Sequence, residues 1–126
     1  MRQEVEKWRD QSIADLKPGK NSFTSEDWYV AVFLCHQSVE KALKAVILFE
    51  EGEVPRGHDL LDLSKKTHLP DSMLSNIRSL NPEYLTTRYP DMAVGTPADS
   101  YDEKIAKRHL TTAEEVSTWM KKTLER

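Results

Sequence analysis

The fold is decided by residues 28–49, WYVAVFLCHQSVEKALKAVILF. Apolar side chains recur there every three or four residues, which is the spacing of one face of an α-helix. Ser25 can cap the start of such a helix, where Glu26 and Asp27 meet the positive end of its dipole. Gly52 suits the left-handed residue that follows a helix end. The stretch therefore predicts a helix of about 25 residues.

Further segments with helical patterns flank this stretch, and prolines or glycines separate them. Pro18-Gly19 is expected to end the first helix, and residues 88–97, with two prolines and a glycine, are expected to form an ordered loop. No segment alternates with period two, so no strand is expected. The remaining predicted helices cover residues 2–17, 58–63, 70–80, 83–87 and 99–124.

These helices predict an all-α fold, an up-and-down bundle of about four to five helices that forms a single domain over residues 1–126. The second and last helices are the longest apolar segments, so we expect them to carry the core and to pack antiparallel. The side chains expected to be buried are Trp28, Leu34, Val39, Leu43, Val116 and Trp119.

Composition and charge restrict the class of protein. The 126 residues carry 18 Lys and Arg against 21 Asp and Glu, a net charge of −3, which argues against a general nucleic-acid binder. The single cysteine, Cys35, permits no internal disulfide and fits a reducing compartment. No secretory signal and no apolar stretch near the ~20 residues of a transmembrane helix is visible, so a cytoplasmic protein is expected.

Motifs of the common catalytic and cofactor sites are absent from the sequence. Neither glycine-rich phosphate loop occurs, no metal-binding histidine pair lies on one helix, and no Cys/His zinc pattern is present. Neither a cofactor nor a metal is therefore expected. Cys35 and His36 are adjacent, which points their side chains about 100° apart on a helix and disfavours a nucleophile pair.

The long helix carries the first of three polar groups of residues that remain as candidates. Gln37, Lys41 and Lys44 share one face and could present donors to a phosphate or an acidic partner. The alternative is a solvated stripe in which Glu40 pairs with Lys44 four residues later.

The other two polar groups lie in connecting segments. In Arg56-Gly57-His58-Asp59, either His58 or Asp59 caps the next helix, or His58 works with a partner from elsewhere in the fold. In residues 86–91, Arg88 presents a planar set of donors beside the ring of Tyr89. That pair suits either phosphate binding with base stacking, or a buried tie between Arg88 and a carboxylate such as Asp91.

The order of these motifs resembles that of the HEPN domain family. The sequence AVFLCHQSVEKALKA at residues 31–45 is similar to the family's second helix, and GHDL at residues 57–60 follows in the expected place. Tyr84, residues 87–91 and an amphipathic last helix complete a resemblance that runs from about residue 4 to residue 124. It implies a helical bundle, commonly a homodimer, often encoded beside a small nucleotidyltransferase as a toxin–antitoxin pair.

Many members of that family are RNA-cleaving toxins with an arginine and a histidine separated by four to six residues, a spacing found at none of the arginines here. The resemblance therefore favours a non-enzymatic dimeric module that binds a nucleotide or another phosphate-bearing ligand and pairs with a separate nucleotidyltransferase. The alternatives are a ribonuclease-type toxin with a degenerate site built from His58, Arg88 and His36, or a purely structural interaction protein. We expect one polar cleft lined by five ligand-binding residues: Lys41, His58, Arg88, Tyr89 and Asp91.

Overall fold

A computed structural model describes residues 1–93 and 95–125. Its helices are α1 (Gln3–Thr24), α2 (Trp28–Glu51), α3 (Leu60–Ser64), α4 (Leu74–Leu80), α5 (Glu83–Thr86) and α6 (Glu103–Leu124). Short 3₁₀ turns lie at Asp71–Met73, Pro90–Met92 and Pro97–Asp99. The described residues contain no strand, so the all-α helical bundle is confirmed, with α5 a single turn beside five longer helices. None of these helices is long and apolar enough to cross a membrane.

The first two helices form an antiparallel hairpin joined by residues 25–27. Gly19, late in α1, lies against Leu34 early in α2, with 3.5 Å between the position of a glycine Cβ and the leucine Cβ. Ser12, earlier in α1, meets Ser38 further along α2, where each hydroxyl donates to the other's backbone carbonyl at 2.7 and 2.8 Å. Both serines are buried, so these reciprocal bonds satisfy polar groups that have no access to water.

The last helix runs antiparallel to α1. Lys107, early in α6, lies over the ring of Phe23 at the end of α1, and Glu114, two turns later in α6, pairs with Lys20. Because α1 is antiparallel to α2 as well, α6 runs in the same direction as α2. The prediction that the second and last helices pack antiparallel is therefore wrong.

The return of the chain between α2 and α6 explains this direction. Residues 52–93 and 95–102 fold back along the bundle as short helices and turns, so α6 starts at the same end of the bundle as α2. Val32 in the first turns of α2 accordingly packs with Ala106 in the first turn of α6. Short helices gave no periodicity from which this reversal could be predicted.

The hydrophobic core lies between α1, α2 and α6, and α3 and α4 cover one side of it. Half of the predicted core residues are confirmed: Val39, Leu43 and Val116 are fully buried. The other half of the prediction is corrected, because three large side chains are only half-buried: Trp28, Leu34 and Trp119.

The first helix continues past the predicted stop at Pro18-Gly19 and ends at Thr24. Pro18 removes one backbone donor from the helix, which normally favours ending it. Tertiary packing offsets that loss, since Gly19 fits against α2 and the Phe23 ring packs edge-on against Trp28, with 5.2 Å between ring centres.

Two residues expected to cap helices, Gly52 and Asp59, do so in the structure. Gly52 has a φ of 84° and its N–H donates to the carbonyl of Leu48, so the predicted left-handed end of α2 is confirmed. The predicted cap Ser25 instead follows the end of α1, and Asp27 precedes α2. Asp59 caps α3 through its carboxylate, which leaves the neighbouring histidine free for another partner.

Candidate functional site

A group of polar and aromatic side chains, here named the Arg88 cluster, lies where α5 packs on the middle of α2. α2 contributes side chains at intervals of three or four residues, which places them on one face. Gly57, with a φ of 96°, turns the chain immediately before His58 and is in a conformation that glycine adopts without strain. The Arg88 cluster comprises Phe33, His36, Glu40, Lys44, His58, Tyr84, Arg88 and Tyr89.

The carboxylate of Glu40 organises the buried part of the cluster. Its Oε2 accepts a hydrogen bond from His58 Nδ1 at 2.9 Å and one from Lys44 Nζ at 3.0 Å. A carboxylate oxygen accepts, so Nδ1 is the His58 atom that donates in this contact, and Nε2 is not used by Glu40. The sequence suggested that Glu40 and Lys44 pair on a solvated face of the helix. Both residues are only 6% exposed, so their ion pair is buried instead.

His36 lies in the deepest part of the cluster. It is fully buried, its Nδ1 is 3.9 Å from Glu40 Oε1, and neither of its ring nitrogens makes a hydrogen bond. Burial lowers the pKa of His36 to about 4, Glu40 opposes that shift, and the charges of His58 and Arg88 add to it. The imidazole is therefore neutral near pH 7 and presents unpartnered polar atoms beside the Glu40 carboxylate.

Aromatic rings hold the exposed part of the cluster in place. The His58 ring stacks on Tyr84 with 4.5 Å between ring centres and 13° between planes. The guanidinium carbon of Arg88 lies 4.7 Å from the Tyr84 ring centre, 5.6 Å from that of Phe33 and 5.8 Å from that of Tyr89. Three cation–π contacts thus orient one exposed guanidinium, and one of them is to the Tyr84 ring on which the His58 imidazole stacks.

The donors of Arg88 remain available to a ligand. Within the described part of the chain, its guanidinium forms neither an ion pair nor a hydrogen bond, and the residue is exposed. The predicted alternative, a buried tie to a carboxylate such as Asp91, is not what the structure contains: Asp91 is exposed in the turn Pro90–Met92 and is not paired with Arg88. Aromatic faces can hold an arginine without occupying its hydrogen-bond donors.

Three of the five predicted ligand-binding residues come together: His58, Arg88 and Tyr89. Lys41 does not join them, because its ammonium pairs with Asp15 on α1, where Gln11 also donates to that carboxylate at 2.8 Å. Residues 40 and 41 are neighbours in sequence and point in different directions from the helix. Lys44 takes the place that the prediction assigned to Lys41.

Sequence reasoning did not assign Glu40 and Tyr84 to the site, although signals for both were present. Glu40 lies four residues before Lys44 on the same helix, so these two share a helical face, and Tyr84 belongs to the set of residues that carries the family resemblance. Their importance follows from burial and stacking, which depend on residues from other parts of the chain.

A second buried polar cluster lies next to His36 and joins α5 to α6. His109 Nε2 is 3.9 Å from the carboxylate of Glu83, which also faces the hydroxyl of Tyr101. Burial lowers the pKa of His109 to about 4, and the charges of Arg108 and His36 lower it further. Burial raises the pKa of Glu83. Burial also raises the pKa of Tyr101, and the neighbouring Glu83 carboxylate raises it further.

The cysteine of α2 has no chemical role in either cluster. Cys35 is fully buried, and desolvation raises its pKa to about 12. A thiol that stays protonated is neither a nucleophile nor a ready metal ligand, which agrees with the sequence prediction that it packs.

Comparisons with known proteins identify relatives along almost the whole chain. The model of the HEPN domain matches residues 5–123. The crystal structure of TT1696 from Thermus thermophilus is 27% identical, with a TM-score of 0.90, and the match covers 97% of this chain and 99% of that one. The crystal structure of ST0689, an archaeal HEPN homologue, is 31% identical, with a TM-score of 0.81 and coverages of 96% and 97%. No curated protein matches the chain. The fold, the ordered motifs and these matches show that the chain belongs to the HEPN domain family.

Proposed function

We propose that this chain is a cytoplasmic binding module that takes a nucleotide or another phosphate-bearing ligand at the Arg88 cluster. The observation that carries the proposal is the exposed Arg88 guanidinium, which three aromatic rings orient while its donors stay unpaired. A guanidinium of this kind binds a phosphate through two parallel hydrogen bonds.

Neighbouring residues supply the other contacts that a nucleotide needs. Tyr89 is 44% exposed and offers an aromatic face on which a base can stack. His58 is held by Glu40 through Nδ1 and stacks on the Tyr84 ring that Arg88 also contacts. Lys44 holds the Glu40 carboxylate in a buried ion pair, and Glu40 in turn holds His58. Few side chains therefore lose conformational freedom when a ligand binds.

Calorimetric titration with adenosine and guanosine monophosphate tests the proposal. Arg88→Lys keeps the charge but loses the planar set of donors, and we expect it to weaken binding about tenfold or more, which is ~1.4 kcal/mol. Arg78→Lys, at an exposed arginine of α4, is the matched control and should bind as the wild type does. The proposal fails if the wild type binds neither nucleotide, or if Arg88→Lys binds both with unchanged affinity.

A second candidate function, cleavage of RNA, is favoured by the pairing of His58 with Glu40. A carboxylate that orients an imidazole leaves Nε2 as a base able to accept a proton from a ribose hydroxyl. Arg88 contacts the same Tyr84 ring as His58, and its unpaired donors are of the kind that stabilise charge on an attacked phosphate.

Purified protein incubated with single-stranded RNA separates this candidate from simple binding. Cleavage that His58→Ala abolishes and His68→Ala, at an exposed histidine, leaves intact would support it. Binding of nucleotide without cleavage would support the binding module alone.

We also propose a homodimer, with a separate small nucleotidyltransferase as a further partner in a toxin–antitoxin-like pair. Support for an interface comes from three exposed apolar side chains close to Arg88: Leu85 at 40%, Tyr89 at 44% and Met92 at 50% exposure. Exposed apolar groups concentrated in one segment are typical of interaction surfaces. Sedimentation at tens of micromolar should give a dimer for the wild type and a monomer for Leu85→Glu, whereas a monomeric wild type contradicts the proposal.

A further inference from the structure

A cleft of about 420 Å³ borders the loop that carries His58. Its walls come from residues 55–59 and from the end of α3 with the two residues after it. His58 lines this cleft and also stacks on Tyr84 in the Arg88 cluster, so one side chain borders both places. A ligand can therefore extend from one to the other along the His58 ring.

The cleft has a surplus of unpaired positive charge. Arg56, Lys65 and Lys66 line it and are exposed, and within the described residues their side chains form no ion pair. One of its two acids, Asp59, turns its carboxylate into α3, where it accepts from two backbone N–H groups and from an asparagine side chain. Asp62 contributes the second carboxylate, so the three cations exceed the two acids by one charge.

We propose that this cleft binds a second phosphate of the ligand whose first phosphate is bound by Arg88. The inference rests on the proposed function and specifies it: the ligand carries at least two phosphates. Two sources share this chemistry, namely the diphosphate of one nucleotide and the next phosphodiester of an oligonucleotide.

The position of His58, which borders both places, supports one ligand rather than two. The His58 ring centre is 4.5 Å from that of Tyr84, and the Arg88 guanidinium carbon is 4.7 Å from it, so the imidazole and the guanidinium are no further apart than these two distances together. Lysines suit the outer position because their flexible side chains meet a phosphate as mobile point charges. The planar guanidinium of Arg88 fixes the inner one.

Calorimetry at a fixed ionic strength of ~0.15 M, where exposed charges act mainly over short distances, tests the inference. The probes are AMP, ADP and the 5′-phosphorylated dinucleotide pApA. We expect ADP or pApA to bind the wild type about tenfold more tightly than AMP, because the second phosphate makes charge-assisted hydrogen bonds. A gain for ADP identifies the diphosphate as the source, and a gain for pApA alone identifies the phosphodiester.

The double variant Lys65→Ala/Lys66→Ala should lose this gain while its affinity for AMP stays unchanged. Lys121→Ala/Lys122→Ala, a neighbouring pair of exposed lysines at the end of α6, is the matched control and should keep the gain. If AMP, ADP and pApA bind the wild type equally, or if the double variant keeps the gain, the second-phosphate inference is refuted and the proposed function stands. If no probe binds, the proposed function and the inference both fail.

Discussion

Acid should destabilise this protein through two buried histidines, and the size of the effect can be worked from their surroundings. His36 is fully buried and its ring nitrogens make no hydrogen bond, while His109 is 2% exposed. Burial lowers the pKa of each from 6.5 to about 4, against the attraction of Glu40 in the case of His36. The folded protein thus holds both imidazoles neutral over a pH range in which the unfolded chain protonates them.

The sign of the pH dependence follows from that difference. Between pH 6.5 and about 4 these two histidines bind more protons in the unfolded chain than in the folded protein, so their contribution to the free energy of unfolding falls as pH falls through this window. Each histidine contributes a slope of about 1.4 kcal/mol per pH unit and a total of about 3 kcal/mol, because one unit of pKa corresponds to ~1.4 kcal/mol. That is a large share of the roughly 5–15 kcal/mol that stabilises a typical domain.

Urea denaturation monitored by tryptophan fluorescence from pH 7 to pH 4 measures this slope. His36→Gln removes one of the two titrating groups, and its curve should be less steep than that of the wild type by about 1.4 kcal/mol per pH unit near pH 5. His68→Gln, at an exposed histidine, is the control and should follow the wild type. Parallel curves for His36→Gln and the wild type would show that His36 is not held neutral and would refute the reasoning.

Two further predictions concern the hairpin of α1 and α2. Ser12→Ala should lower the free energy of unfolding by about 1 kcal/mol, because it removes the buried hydrogen bond to the Ser38 carbonyl, and chemical denaturation at neutral pH measures the change. Gly52→Ala should cost about 1–2 kcal/mol, since a φ of 84° is strained for alanine. Gly19→Ala is its control: a Cβ there meets only ordinary contact, so stability should hold or rise, and a greater loss than for Gly52→Ala would contradict the packing described.

The helices that could be predicted from sequence are those whose signals lie within a few residues of one another. The body of α2 and its end at Gly52 follow from apolar spacing and one glycine, and Asp59 was one of two candidates to cap α3. The end of α1 could not be predicted in this way. Pro18 is a local stop signal, and packing against another helix outweighs it.

The candidate site was partly predictable, because the family resemblance drew attention to His58, Arg88 and Tyr89. The resemblance did not specify which charged residue of α2 faces them. Glu40 and Lys44 face them, whereas Lys41 forms an ion pair with Asp15, which is 26 residues away in sequence. A pairing over that separation depends on the rotation of α1 against α2, which no local pattern encodes.

By itself the sequence determined the helical class, the position of the longest helix and the family, because helical periodicity and capping arise from interactions within one or two turns. Only the tertiary structure decided the direction of α6, the burial of the Glu40–Lys44 pair and the grouping of three aromatic rings around Arg88. Each of these joins residues far apart in the chain. The free energy that selects them comes from burying whole helix faces against one another, and it exists only once the bundle has formed.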